Sequence, residues 1–455
     1  MNICTTKNDT GGAAERNLLP AKRANLTGKY YLRIPAEVFF GRLTLGNILM
    51  RHRSGFGSTV KAAALLWVGL LVCGAAAGQQ DFESPPLRGG RFIHKIGVDV
   101  RPAYVAPTHN FLRGENYTWT PIDASVSGHL TYAFQFKPNT PSGRIYDSAY
   151  QGLGIAGFTF GDSQQLGDPV AVYLLQGARI GLLAPRLSFN YEWNFGLSFG
   201  WKPYDEMQNE YNRVIGSRVN AYINANFYLN WVLSRQVDLM AGVTLTHFSN
   251  GSTRLPNAGL NTLGLKFGVT YNFNREELRL TRCPALTGAF ERHVSYDLTF
   301  FGAWRVKGIA VNGDEVKILP KRSVVGFNFS PLYNVGYKFR TGLSLDGVYD
   351  GTANAYLNDY GELETPGWRK QLALGVSVRA EYVMPYFTVS FGLGANVIHS
   401  GGDLKSFYQV LALKIQMTRS SFLHIGYSLK QFKAPNFLML GVGYRFNNKT
   451  QKYRP

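Results

Sequence analysis

Residues 237–273 read VDLMAGVTLTHFSNGSTRLPNAGLNTLGLKFGVTYNF, and their apolar residues fall on alternate positions at both ends. Leu239, Ala241, Val243 and Leu245 are apolar, while Gly242, Thr244 and Thr246 between them are small or polar. After Leu260 the pattern resumes, with Leu263, Leu265, Phe267, Val269, Tyr271 and Phe273 on one face and Gly264, Lys266, Gly268, Thr270 and Asn272 on the other. A period of two belongs to an extended strand whose side chains point to opposite faces. Between the two runs, Asn250-Gly251 marks a turn and Pro256 a loop. The stretch is therefore a strand, a loop and a strand. His247 and Ser249 continue the apolar face of the first strand, and Asn261 continues that of the second.

The same signal recurs along most of the chain. Strands are predicted near residues 91–105, 125–136, 153–160, 171–180, 186–201, 218–232, 237–249 and 260–273, then near 293–306, 323–339, 341–349, 371–383, 386–398, 407–417, 422–430 and 437–446. These are close to the roughly 9–11 residues that a tilted strand needs to cross a bilayer. The last repeats the pattern, with Leu438, Leu440, Val442, Tyr444 and Phe446 set against Gly441, Gly443 and Arg445. Glycine (50 of 455 residues) and aromatics (14%) are abundant and charged residues few (17%), which suits a many-stranded protein. No apolar run after residue 80 is long enough for a transmembrane helix, so any crossing is made by strands. The expected fold is an all-β, antiparallel transmembrane β-barrel of the outer-membrane type. A water-soluble barrel has a similar period, but aromatic strand ends and an export signal favour the membrane. Whether some 14 to 16 strands close one barrel or two stays open.

That export signal is KAAALLWVGLLVCGAAAGQQ, residues 61–80. Arg51, Arg53 and Lys61 supply a basic segment, residues 62–72 an apolar core, and Ala75-Ala76-Ala77 a small-residue cleavage site. A signal peptide is expected over 50–77, after an upstream segment 1–49 that is not structural. The barrel follows over 78–455, divided into residues 90–275 and an additional set of strands over 285–447. Val72 stands where a lipoprotein signal has a small residue, which argues against an anchor at Cys73. Removing residues 1–77, with their ten Lys/Arg and three Asp/Glu, leaves 38 basic against 26 acidic residues, a net +12. Export disfavours nucleic acid as the partner of this basic surface and leaves anionic lipid. Cys283 is then the last cysteine, so no internal disulfide forms.

A weak internal repeat aligns Gly242 with Gly426, Leu245 with Leu429, Phe248 with Phe432, and Pro256-Asn257 with Pro435-Asn436. Gln431 and Lys433 then stand where His247 and Ser249 stand, so a second copy carries no such pair. Chance likeness between barrel hairpins explains the alignment equally well. Residues 152–157 fit GxGxxG, but without a βαβ unit they read as a glycine-rich strand. Asn250-Gly251-Ser252 fits a glycosylation acceptor, irrelevant to a bacterial outer membrane. His94, His129 and His424 have no partners at ligand spacing, so no metal and no other cofactor is expected.

His247, Ser249 and Asn261 thus place polar groups on a lipid-facing surface, which is costly unless they lie at the interface and have a task. His247-Phe248-Ser249-Asn250 resembles the motif of a known family, the outer-membrane lipid A deacylases (acyloxyacyl hydrolase-like, lipid A 3-O-deacylase). The resemblance is specific over 237–273 and extends over 90–273. It implies an outer-membrane serine esterase acting on lipid A, or lipopolysaccharide, at the outer-leaflet rim. By position Ser249 is the nucleophile, His247 the base, and Asn250 and Asn257 the oxyanion donors. Arg254 in the same loop is a candidate for a lipid A phosphate. Asn261 stands where the family has a glutamate; it can orient an imidazole but brings no charge. Glu206 and Glu210 are candidate substitutes from another loop. Two other readings remain, a catalytically impaired lipid-binding or structural barrel and a channel.

Overall fold

The computed structural model describes residues 90–278, 280, 290–312, 315–405, 407–431 and 434–449. The expected upstream segment, the signal peptide, Cys73, Cys283 and Lys433 lie outside the described residues. The chain closes two antiparallel barrels of eight strands each. The first contains β1 (Phe92–Ala106), β2 (Ala124–Phe136), β3 (Tyr150–Thr159), β4 (Val170–Ala184), β5 (Leu187–Phe199), β6 (Val219–Val232), β7 (Val237–Ser249) and β8 (Leu260–Phe273). Each strand pairs with the next, and β1 pairs with β8 to close the ring.

The second contains β9 (His293–Asn312), β10 (Glu315–Asn334) and β11 (Phe339–Asp350), and in the connection that follows a hairpin of two short strands, β12 (Tyr356–Leu357) and β13 (Leu363–Glu364). It continues with β14 (Leu372–Val383), β15 (Phe387–His399), β16 (Phe407–Gln416), β17 (Ser421–Lys430) and β18 (Ala434–Phe446). β18 pairs with β9.

Alternation decides which residues meet lipid. In β8, Leu263, Leu265, Phe267, Val269, Tyr271 and Phe273 are exposed, whereas Thr262, Lys266 and Asn272 are buried in the lumen. Such a barrel is the inverse of a soluble one, with its apolar band outside. Charged side chains fill the first lumen. Arg101 Nε donates to Asp99 Oδ1 at 2.5 Å, and Lys266 Nζ to Glu192 Oε1 at 3.0 Å. Buried charges are tolerated only when paired and hydrogen-bonded in this way. Towards the β7–β8 connection the filling becomes aromatic, with Phe158, Phe160, Tyr173, Trp201, Tyr222 and Phe248 in one buried cluster. The second lumen has its own ion network. Lys414 Nζ lies 2.7 Å from Asp297 Oδ2 and 2.5 Å from Glu381 Oε1, and Arg445 Nε lies 2.6 Å from Asp297 Oδ1.

The sixteen barrel strands match the sixteen predicted segments. The largest difference is the β9–β10 hairpin, whose strands are 20 residues each, not ending near Val306 and starting near Ser323. At about 3.3 Å per residue each strand is roughly 66 Å long, well beyond a hydrocarbon core of about 30 Å. The charges at Lys307, Lys321 and Arg322 therefore mark the end of the apolar band, not the end of the strand. Pairing tolerates Pro320 through a register shift between Leu319 and Arg322. The Gly152-Gly157 motif lies within β3, where a side chain at Gly152 would strike the Tyr132 carbonyl, 1.9 Å from its Cβ.

Candidate active site

β7 fixes the site through the residue between His247 and Ser249. Phe248 points inward and is fully buried, 4.9 Å from the Trp201 ring and 5.1 Å from Phe158. With Phe248 anchored in the aromatic plug, strand geometry turns His247 and Ser249 to the outer face. Register completes the group, because His247 pairs directly with Asn261 of β8. His247 Nε2 lies 2.9 Å from Ser249 Oγ, and His247 Nδ1 lies 2.6 Å from Asn261 Oδ1. An amide oxygen only accepts, so Nδ1 carries the proton and donates to Asn261. Nε2 then offers its lone pair to the serine hydroxyl.

The loop 250–259 folds back over this group. Gly251 and Ser252 both have positive φ, 64° and 63°, at the turn that the Asn-Gly pair signalled. Gly259 is the glycine whose freedom matters most. Its φ is +74°, and a Cβ there would lie 3.1 Å from His247 Cε1, so its bare Cα lets the imidazole lie close. Neighbouring loops hold the turn down. Thr108 Oγ1 donates to the Gly259 carbonyl at 2.7 Å, and the Gly259 N–H to Val214 O at 3.2 Å. Gly216 packs where a Cβ would meet Pro256 O at 2.2 Å. Thr108, Gly216 and Gly259 carry no sequence pattern that marks them, since their roles arise from loops that meet only after closure.

The two predicted oxyanion donors differ. The Asn250 side chain turns inward and donates from Nδ2 to the Arg254 carbonyl at 2.9 Å, closing the turn. Its backbone N–H donates to Asn257 Oδ1 at 3.1 Å. That bond fixes which end of the Asn257 amide is oxygen, and Asn257 Nδ2 has no protein acceptor among the described residues. Arg254 is exposed at the tip. Glu206 and Glu210 are exposed on the 200–218 loop, and His247 Nδ1 already donates to Asn261.

Nearby, His109 Nδ1 accepts from the Phe111 N–H at 3.1 Å. Partial burial holds its pKa below the usual histidine value, and the charge of Arg213 adds to this against Glu115. The same barrel holds a second serine–histidine pair, Ser127 Oγ and His129 Nε2 at 3.0 Å, but both are buried in the lumen, with His129 Nδ1 3.0 Å from Tyr173 OH. A cavity of about 380 Å³, lined by Lys95, Asp99, Glu192 and Lys266 among others, lies inside this barrel away from the outward-facing group.

Residues 127–270 match the lipid A 3-O-deacylase family (PagL), and residues 294–448 match the acyloxyacyl hydrolase C-terminal domain. The chain belongs to the outer-membrane lipid A deacylase family. The deacylase match spans β2 to β8 and so includes the His247, Ser249 and Asn261 group, while the second match covers the second barrel. Membership in the lipid A deacylase family implies an ester hydrolase of the outer membrane with lipid A or lipopolysaccharide as substrate.

No curated protein matches this chain closely enough in sequence to count as a relative. Among solved structures it is similar to Neisserial surface protein A, at 9% identity over 40% of this chain and 97% of that one, with a TM-score of 0.26. It is also similar to the ferric enterobactin receptor from Pseudomonas aeruginosa, at 10% identity over 75% of this chain and 44% of that one, with a TM-score of 0.20.

Proposed function

We propose that the protein removes an ester-linked acyl chain from lipid A with Ser249 as nucleophile, His247 as general base and Asn261 as the group that orients the base. The single observation that carries this is the outward-facing His247, engaged at 2.9 Å by Ser249 and at 2.6 Å by Asn261. The connections at the β7–β8 end of the barrel are all long (107–123, 160–169, 200–218, 250–259), whereas two of the three at the other end, 185–186 and 233–236, are tight turns and the third is 137–149. Long loops face outward in such barrels, so the site meets the outer leaflet.

Ser249 Oγ attacks the acyl carbonyl as its proton passes to His247 Nε2, forming a tetrahedral oxyanion. The Asn257 amide, aimed by the Asn250 N–H, stabilises that charge; one such donor contributes about 2.7–4 kcal/mol in the studied protease case. The intermediate collapses as Nε2–H protonates the departing sugar oxygen, leaving an acyl ester on Ser249. Water, deprotonated by the same nitrogen, attacks that ester, releases the fatty acid and returns the proton to Ser249 Oγ. Arg254 at the loop tip reaches towards a lipid A phosphate.

Asn261 in place of a carboxylate slows this sequence without stopping it. In a serine protease, replacing the orienting Asp by Asn lowered kcat by about 10⁴, chiefly through the wrong tautomer. Here the amide oxygen faces the ring, so the tautomer is correct and only the charge is missing. A fluorophosphonate probe tests the reading: it labels Ser249, identified by peptide mapping, and fails to label His247→Ala. Wild-type protein that is folded and unlabelled at Ser249 overturns it and favours a lipid-binding barrel without turnover.

A further inference from the structure

The second barrel touches the loop that carries the proposed oxyanion donor. The Val306 N–H, on the upper part of β9, donates to the Ser252 carbonyl at 3.0 Å. The Gly251 backbone lies against β17 and β18, where a Cβ on it would meet the Tyr427 ring and the Leu438 Cβ at 3.7 Å each. The Tyr427 hydroxyl lies beside the Ser252 side chain. Gly251 and Ser252 both hold left-handed backbone, a conformation that costs a non-glycine residue such as Ser252 roughly 1–2 kcal/mol and persists where surroundings enforce it. From within the first barrel, Asn250 and Thr253 tie the same turn together, with Thr253 Oγ1 on Asn250 O at 2.9 Å. The turn is thus clamped from both barrels, and the Asn250 N–H that aims Asn257 sits at its base.

We propose that the second barrel is a positioning element for the deacylase site: Val306, Tyr427 and Leu438 hold the 250–253 turn so that Asn257 faces the reacting ester. This rests on the reading of Ser249 and Asn257 given above. The positioning residues touch no reacting atom. Their loss alters how well the oxyanion is held, and leaves substrate binding to the first barrel's rim unchanged. Misplacement of about 1 Å away from the chemistry can cost as much as 10²-fold.

The test uses the full chain in detergent–lipid A micelles. Tyr427→Ala is expected to lower kcat at least tenfold with KM changed less than twofold, Tyr427→Phe to recover most of the loss through ring packing on Gly251, and Leu440→Ala, lipid-facing on β18, to match wild type. In a cysteine-free background (Cys4→Ser, Cys73→Ser and Cys283→Ser), the pair Ser252→Cys and Val306→Cys is expected to cross-link on oxidation and retain activity. A folded Tyr427→Ala protein with wild-type kcat, or a Cys pair that never cross-links, overturns the positioning role. Full activity in Ser249→Ala instead overturns the serine reading, and the cross-link still reports the clamp by itself.

Discussion

The two barrels solve the lumen in the same way and differ at the rim. In each, an aspartate on the first strand meets a cation on the last: Asp99 lies 3.7 Å from Lys266, and Asp297 lies 2.6 Å from Arg445. A glutamate completes both networks, Glu192 in one and Glu381 in the other. A closed barrel of eight strands has just enough interior for side chains to fill, and charges there must be neutralised. The seventh strands then diverge. β7 is followed by loop 250–259, which folds over His247, whereas β17 ends at Lys430 and β18 starts at Ala434. The lesson is that the barrel wall is a shared scaffold, and that chemistry depends on a loop long enough to cover the strand end.

The largest expected effect concerns that difference. Grafting the pair onto the second barrel, with Gln431→His and Lys433→Ser in a Ser249→Ala background, leaves lipid A hydrolysis absent, at least about 10³-fold below wild type, because no covering loop or orienting asparagine is supplied there. Recovery of hydrolysis in that variant breaks the comparison. Next are the lumens. Lys266→Met and Lys414→Met each remove one cation from two buried carboxylates that keep arginine partners, Arg101 in one barrel and Arg445 in the other, and are expected to lower stability by about 1.5–3 kcal/mol. Heat-modifiable mobility on gels reads this, and a drop in only one of the two breaks the equivalence.

Within the site, Asn261→Ala is expected to lower kcat by about 10–100-fold by releasing His247. Asn261→Asp is expected to raise kcat about tenfold. A carboxylate at that position stabilises the imidazolium that forms as Ser249 attacks. An unchanged kcat in Asn261→Asp removes Asn261 from the mechanism. A smaller effect is expected of Gly259→Ala, which forces a left-handed alanine against His247 Cε1 at 3.1 Å and costs about 1–2 kcal/mol with a few-fold loss of kcat. Least of all, Glu206→Gln and Glu210→Gln change stability and turnover within about 0.5 kcal/mol.

Much of this was legible in the chain because a two-residue period is unambiguous when one face meets lipid. Leu263 to Phe273 alternate without a break, and β5, β6 and β14 carry the same signature. Parity also put His247, Ser249 and Asn261 on one face, since register in a hairpin follows from the same alternation. Less was legible where charge interrupts a strand outside the bilayer, as in the β9–β10 hairpin, since a solvated strand carries no lipid-facing pattern. The number of barrels was not legible, because closure depends on pairing between β1 and β8, far apart in sequence, and no local pattern encodes it. The inward turn of Asn250 was hidden for a related reason: its partner, the Arg254 carbonyl, is backbone and has no side-chain signature. The clamp on Gly251 and Ser252 required the second barrel to be in place.

The central claim is that Ser249 at the outer rim cuts an acyl ester of lipid A, and the most direct measurement is the mass of lipid A from cells expressing the protein. Wild type is expected to give lipid A lighter by one acyl chain, and Ser249→Ala, present in the outer membrane at the same level, to give the unshortened species. Identical lipid A from the two strains contradicts the account.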